Sequence, residues 1–258
     1  MRIALGLEYD GRSFSGWQSQ PTGGTVQDAL ERALSIIAGE PIRVIAAGRT
    51  DAGVHASMQV VHFDTAAMRP DMAWVRGVNS HLPHSVAVQW ARPVDEQFHA
   101  RFSARGRSYR YVLFNHPVRP ALLHGRAGWC HNPLNLELMQ RAASLLVGTH
   151  DFSAFRAAEC QAKSPIKQLK QLDISRGGYL IHFDLHADAF LHHMVRNLVG
   201  SLVHVGKGRQ APDWLAQVLE SRDRSKAAAT FAPDGLYLNG VEYAEHWGLP
   251  AMPTGWMP

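Results

Sequence analysis

Two periods alternate in the apolar pattern of this chain. Residues 2–9 form a nearly continuous apolar run that predicts a strand, whereas Val26, Ala29, Leu30, Ala33, Leu34 and Ile37 recur at the spacing of one helix face. Thr25, three residues before Asp28, supplies a capping-box-like start to that helix. Strand-like runs follow at 42–47 and 58–64, then a helix at 71–81 and a strand at 86–92, which makes the order β-α-β-β-α-β. The later residues repeat it: strand 107–115, helix 134–147, strands 168–175 and 179–187, helix 190–206 and strand 236–243, with an inserted helix at 212–221. The clearest local pattern is Ile181, Phe183 and Leu185 alternating with His182, Asp184 and His186 after Gly177-Gly178.

This doubled order predicts an α+β protein of two tandem ferredoxin-like (RRM-like) halves, each an antiparallel sheet with helices on one face. The halves are residues 1–104 and 105–258, with no long linker at the join and a basic cleft expected between them.

Composition adds limits. A chain of 258 residues with 46% hydrophobic content can bury a sizeable core. No apolar run reaches the ~18 residues of a membrane span, and Glu8 and Asp10 interrupt the start before a signal-peptide core, so a soluble cytoplasmic protein is expected. Cys130 and Cys160 lack metal or disulfide spacing and read as spectator thiols. Net charge is only +4, but its distribution is uneven. No acid lies between Glu96 and Glu137, where Arg101, Arg105, Arg107, Arg110, Arg119 and Arg126 fall, and residues 189–212 are also acid-free and hold His192, His193, Arg196, His204, Lys207 and Arg209. On one face these would hold phosphates; with acids supplied from elsewhere in the fold they would make an ordinary solvated surface.

Three stretches could carry chemistry. In Gly48-Arg49-Thr50-Asp51-Ala52-Gly53 a strand runs into a turn that would present Asp51 at a sheet end, with Arg49 on the same face of an extended segment and able to keep the carboxylate charged. An Asp-Ala-Gly tripeptide equally suits a plain turn. Tyr109 and Tyr111 sit among Arg107 and Arg110 on a strand, a mixture that stacks on unpaired bases and holds backbone phosphates, or simply packs in a core. Phe190-Leu191-His192-His193-Met194-Val195-Arg196 is expected to open a helix; adjacent histidines do not face each other there, so no metal site is expected, and Arg196 could reach a phosphate or a carboxylate such as Asp51, or face solvent. No GxxxxGK[ST], GxGxxG or GxSxG motif supports nucleotide hydrolysis, dinucleotide redox or serine-hydrolase chemistry.

Together these stretches resemble the TruA family of tRNA pseudouridine synthases. The resemblance runs through Tyr9-Asp10-Gly11, Phe14-Ser15-Gly16-Trp17-Gln18, Thr25-Val26-Gln27 and Gly48-Arg49-Thr50-Asp51-Ala52-Gly53-Val54-His55-Ala56. It continues through Ser108-Tyr109-Arg110-Tyr111, His150-Asp151-Phe152-Ser153-Ala154-Phe155, residues 190–200 and Gly235-Leu236-Tyr237-Leu238, departing mainly in the Pro- and Trp-containing tail after Glu245. It implies cofactor-independent isomerisation of uridine to pseudouridine in the anticodon stem-loop of tRNA by a homodimer. It also implies that Asp51 is the catalytic aspartate, Tyr109 the base-stacking tyrosine, Arg49 the basic residue beside the aspartate and Arg196 the arginine that pairs with it. Neither a metal nor a nicotinamide is called for.

Overall fold

The computed structural model describes residues 1–250; the end of the tail, residues 251–258, lies outside the described residues. The chain is mixed α/β with mostly antiparallel strand pairing, and it divides into two compact units. Among the described residues the first is Met1–Arg105 together with 237–250, and the second is Gly106–Leu236.

In the first unit, β1 (Arg2–Tyr9) lies between β3 (His55–Asp64) and β4 (Val86–Val94), antiparallel to both. The 42–47 run yields a much shorter strand, β2 (Ile45–Ala46), antiparallel to β3. The strand order is therefore β4-β1-β3-β2. Helix α1 (Val26–Ala38) buries Val26, Ala29, Leu30, Ala33 and Leu34, as its period requires. Thr25 caps it reciprocally: its Oγ1 accepts from the Asp28 N–H at 3.2 Å and donates to the Asp28 carboxylate at 2.7 Å. Gly39 ends it in the left-handed region, φ 74°. The 71–81 helix is present over 71–79, with its central stretch Ala73–Gly77 wound as a π-helix. The last strand, β10 (Leu236–Glu242), joins the first unit from Tyr237, where it runs parallel to β3 with Tyr237 opposite His55.

The second unit is built on β5 (Gly106–Asn115), β9 (Leu180–Ala187), β8 (Ile166–Gly177) and β7 (Gly148–Asp151) in that order, each antiparallel to the next. A short strand β6 (Gly128–Cys130) lies parallel to β5. In β9, Ile181, Phe183 and Leu185 are buried while His182, Asp184 and His186 are half-exposed, so its alternation is that of a one-face-buried strand. Helix α2 (Leu136–Ser144) starts on an Asn135 cap, and α3 (Met194–Gly206) and α4 (Trp214–Ser221) follow. The expected start of α3 at 190 is four residues early. His193 adopts φ 61°, a left-handed conformation that cannot continue a helix, so His192 and His193 precede α3.

Two consequences can be measured. Thr25→Ala should lower stability by about 1 kcal/mol in urea unfolding, and an unchanged midpoint would refute the cap's role. His62 Nδ1 accepts the Ala100 N–H at 3.1 Å, and burial, helped by Arg2 and His99, pushes the ring's pKa down from 6.5 to about 4. Between those values the unfolded chain binds a proton that the folded chain does not, so this site loses stability as pH falls from 6.5 through 4. An imidazole NMR titration should show His62 neutral at pH 5.5; protonation there would contradict its burial.

Candidate active site

Asp51 opens a four-residue turn. The Val54 N–H donates to the Asp51 carbonyl at 3.1 Å, and Gly53 takes φ 78°, a position suited to glycine. The side chain is half-buried, as a carboxylate must be if it is to act on a substrate and still be held. Arg49 is exposed; residues 47–48 form a bend and 52–53 a turn, and the intervening 49–51 lie outside any regular element.

The surroundings of this turn explain motifs whose purpose is obscure in the sequence. A Cβ on Gly11 would stand 2.0 Å from the Val54 carbonyl oxygen. One on Gly16 would stand 2.9 Å from the Thr50 oxygen and 3.2 Å from the Ala52 nitrogen, and Gly16 itself has φ 94°. Backbone lies against backbone on two sides of Asp51, which only glycine permits. The Trp17 N–H donates to the Thr50 carbonyl at 3.0 Å, and the Tyr9 hydroxyl meets Thr50 Oγ1 at 2.7 Å in a buried contact. On the strand side, Gln59 Nε2 donates to the Gly48 carbonyl at 2.7 Å.

The loop that carries Gly16 is tied to α1. The Val26 and Gln27 N–H groups, two of the helix's unpaired first donors, reach the Gly16 and Trp17 carbonyls at 3.2 and 3.1 Å. The buried Gln27 side chain accepts from Gln18 Nε2 and the Ser19 N–H and donates to Glu31, which in turn accepts the Val44 N–H at 3.0 Å. Beyond the turn, His55 Nδ1 accepts the Gly11 N–H at 3.1 Å, and its ring stacks on Tyr237 with centroids 4.6 Å apart. Burial would raise the Asp10 carboxyl, but hydrogen bonds from Arg12, with His55 and the Arg12 charge nearby, together hold it below the usual carboxylate range.

Tyr109 and Arg196 belong to the second unit. Tyr109 is half-buried in β5 opposite Leu185 of β9, its ring packed edge-on against Phe190 at 5.0 Å. Tyr111, by contrast, is wholly buried, its hydroxyl donating to the Ala232 carbonyl, and so is a core residue. Arg110 is paired side by side with Asp184 at 2.6 and 3.0 Å. Arg196, in the first turn of α3, is half-buried; its Nε donates to the Phe231 carbonyl at 2.9 Å while its own carbonyl accepts the Phe231 N–H at 3.2 Å. That reciprocal grip orients the guanidinium.

Sequence reasoning missed the residues that brace this arginine. Asn197, fully buried, donates to the Phe155 carbonyl and accepts from Arg224 and Thr230, and a Cβ on Gly200 would stand 2.2 Å from the Ala229 oxygen. They fix residues 224–231 on α3. The available signal was the polar Asn197 and small Gly200 within an apolar helix. Gly11 and Gly16 were visible as motif members, but the approach they allow was not.

These arrangements define a class. Residues 7–103 and 142–244 match the family model described as tRNA pseudouridine synthase, and the chain belongs to that family. Among named relatives, tRNA pseudouridine synthase A of Dechloromonas aromatica is 63% identical over 250 residues, 97% of this chain and 95% of the relative. The proteins of the same name from Thiobacillus denitrificans and Chromobacterium violaceum are 60% and 62% identical, over 99% and 97% of this chain and 98% and 96% of theirs.

Gly16→Ala should cost about 1–3 kcal/mol through left-handed backbone strain and shift the amide resonances of Thr50 and Ala52. Unchanged resonances there would show that Gly16 does not shape the turn.

Proposed function

We propose that this protein isomerises uridine to pseudouridine in the anticodon stem-loop of tRNA, without a cofactor, with Asp51 as the catalytic carboxylate. Family membership over most of the chain supports the reaction, and the observation that carries the residue assignment is the half-buried Asp51 on a turn braced by Gly11, Gly16 and Thr50. Catalysis needs such bracing, because a carboxylate acts efficiently only when held near the productive geometry.

The reaction moves the ribose from N1 to C5 of the same uracil. The N1–C1′ bond breaks, the base turns over, a C5–C1′ bond forms, and the C5 proton is lost as N1 gains one, so nothing external is consumed. Asp51 serves either as a nucleophile or as a base that takes a proton from the sugar. The target base must leave its stack, and Tyr109, held upright by Phe190, is the ring on which we place it. Arg49 and Arg196 supply positive charge that pairs with the carboxylate or holds phosphate.

The same reading takes the fold as two tandem ferredoxin-like halves joined near residues 104–105, supported by the β4-β1-β3-β2 order with antiparallel neighbours and by the β5-β9-β8 order. It takes the working enzyme as a cytoplasmic homodimer; among the described residues no helix is long and apolar enough to cross a membrane.

Asp51→Asn should lower pseudouridine formation in unmodified tRNA by about a hundredfold or more while tRNA binding persists. Undiminished turnover would remove Asp51 from the mechanism, and a wild-type protein that binds tRNA with strong salt dependence but makes no pseudouridine would be a binding protein instead.

A further inference from the structure

Phe102 is conspicuous in the first unit because it is a large aromatic residue left 77% exposed on a segment that is otherwise firmly held. It stands at the tip of the turn between β4 and β5. The Ser103 N–H donates to the His99 carbonyl at 2.8 Å and Ser103 Oγ accepts the His99 N–H at 3.0 Å. Three successive backbone donors are then taken by histidine rings: Ala100 N–H by His62 Nδ1 at 3.1 Å, and Arg101 and Phe102 N–H by His99 Nδ1, both at 3.2 Å. The Ala100 carbonyl accepts from the Tyr243 hydroxyl at 2.6 Å, and Ala100 itself is fully buried. The turn is therefore fixed at its base, and only its tip projects.

The Phe102 ring is also oriented. It stacks on the His99 imidazole with centroids 4.2 Å apart and planes 28° apart, and the Arg101 guanidinium lies over the ring at 5.7 Å from its centroid, in loose cation–π contact. An aromatic ring backed by a second ring, with exposed Arg101 and Arg105 on the same short segment, matches an unpaired nucleobase with its flanking phosphates: a π-face for the base and cations for the backbone. A protein partner would more commonly be met by a wider apolar patch, and the neighbours of Phe102 at the tip are cationic or small.

We propose that Phe102, backed by His99, is a stacking platform for an unpaired base of the RNA substrate, with Arg101 and Arg105 holding the adjacent phosphates. This rests on the proposed function only for the identity of the RNA. It assigns an RNA contact distinct from Asp51 and Tyr109, one that positions substrate and takes no part in bond making.

The test uses the full chain and an unmodified tRNA transcript, with Kd measured over a salt series. Phe102→Ala should raise Kd about five- to a hundredfold with the salt slope unchanged, since no charge is lost. Phe102→Trp should bind as wild type, and Phe102→Leu, which keeps apolar bulk without a π-face, should bind as weakly as the alanine variant. Arg101→Ala should instead lower the salt slope by about one. Wild-type affinity in Phe102→Ala or Phe102→Leu would overturn the platform. Pseudouridine formation by the wild type is followed in the same samples: its absence would refute the isomerase reading alone, because binding to the transcript is scored without turnover.

Discussion

The first unit depends on a close approach of backbone to backbone. Gly11 and Gly16 come so near the Thr50–Val54 turn that neither has room for a side chain, and this contact ties the end of β1 and the loop into α1 to the turn that carries Asp51, the proposed catalytic carboxylate. A site built this way does not rely on long side chains finding a rotamer. Its geometry is that of the main chain, which packing and ladder hydrogen bonds already fix. The α1 donors spent on the Gly16 and Trp17 carbonyls extend the same logic, since a helix end that needed partners finds them in the loop that needed holding.

The second unit reaches the same end by a related route. Gly200 lets residues 224–231 lie directly on α3, and Asn197 uses its amide in both directions to hold them there. A buried amide satisfied on both sides specifies one docking of that segment, whereas a half-satisfied one would destabilise it. Arg196, one residue earlier, grips Phe231 through both side chain and backbone, so its orientation follows from that docking. In each unit a proposed functional side chain stands beside a small residue and a buried polar one, and it is these neighbours that set its position.

Much of the fold was legible because it followed period and cap. The 3.6 period of α1 with its Thr25 and Asp28, and the strict alternation in β9, are local signals that tertiary structure had no reason to override. Other features depended on contacts that no window of sequence contains. The run at 42–47 looks like a strand, yet only Ile45 and Ala46 pair, because the chain bends at 47–48 to deliver the Asp51 turn. His193 breaks a pattern that reads as continuous helix from 190, since nothing in an apolar period announces a left-handed histidine. Strands β6 and β7, three and four residues long, are too short to show any period. Asp51 was legible only as a turn residue until its motif was read as a family resemblance.

Charge shows why a one-dimensional reading misjudges a surface. The stretch between Glu96 and Glu137 has no acid of its own, which suggests a strongly positive segment. In the sheet, however, β9 runs beside β5 and sets Asp184 against Arg110, while Arg107 donates to the Asp188 carbonyl, so part of that basic run is spent on internal structure. Exposure rather than count sets what such a run presents to solvent: Arg101 and Arg105 are exposed, whereas Arg110 is locked to its carboxylate. For a chain of net charge +4, long-range attraction to a polyanion is modest. On the proposed reading the rigid turns that carry Asp51 and Phe102 serve one end, because a contact already in place loses little conformational entropy when a substrate arrives.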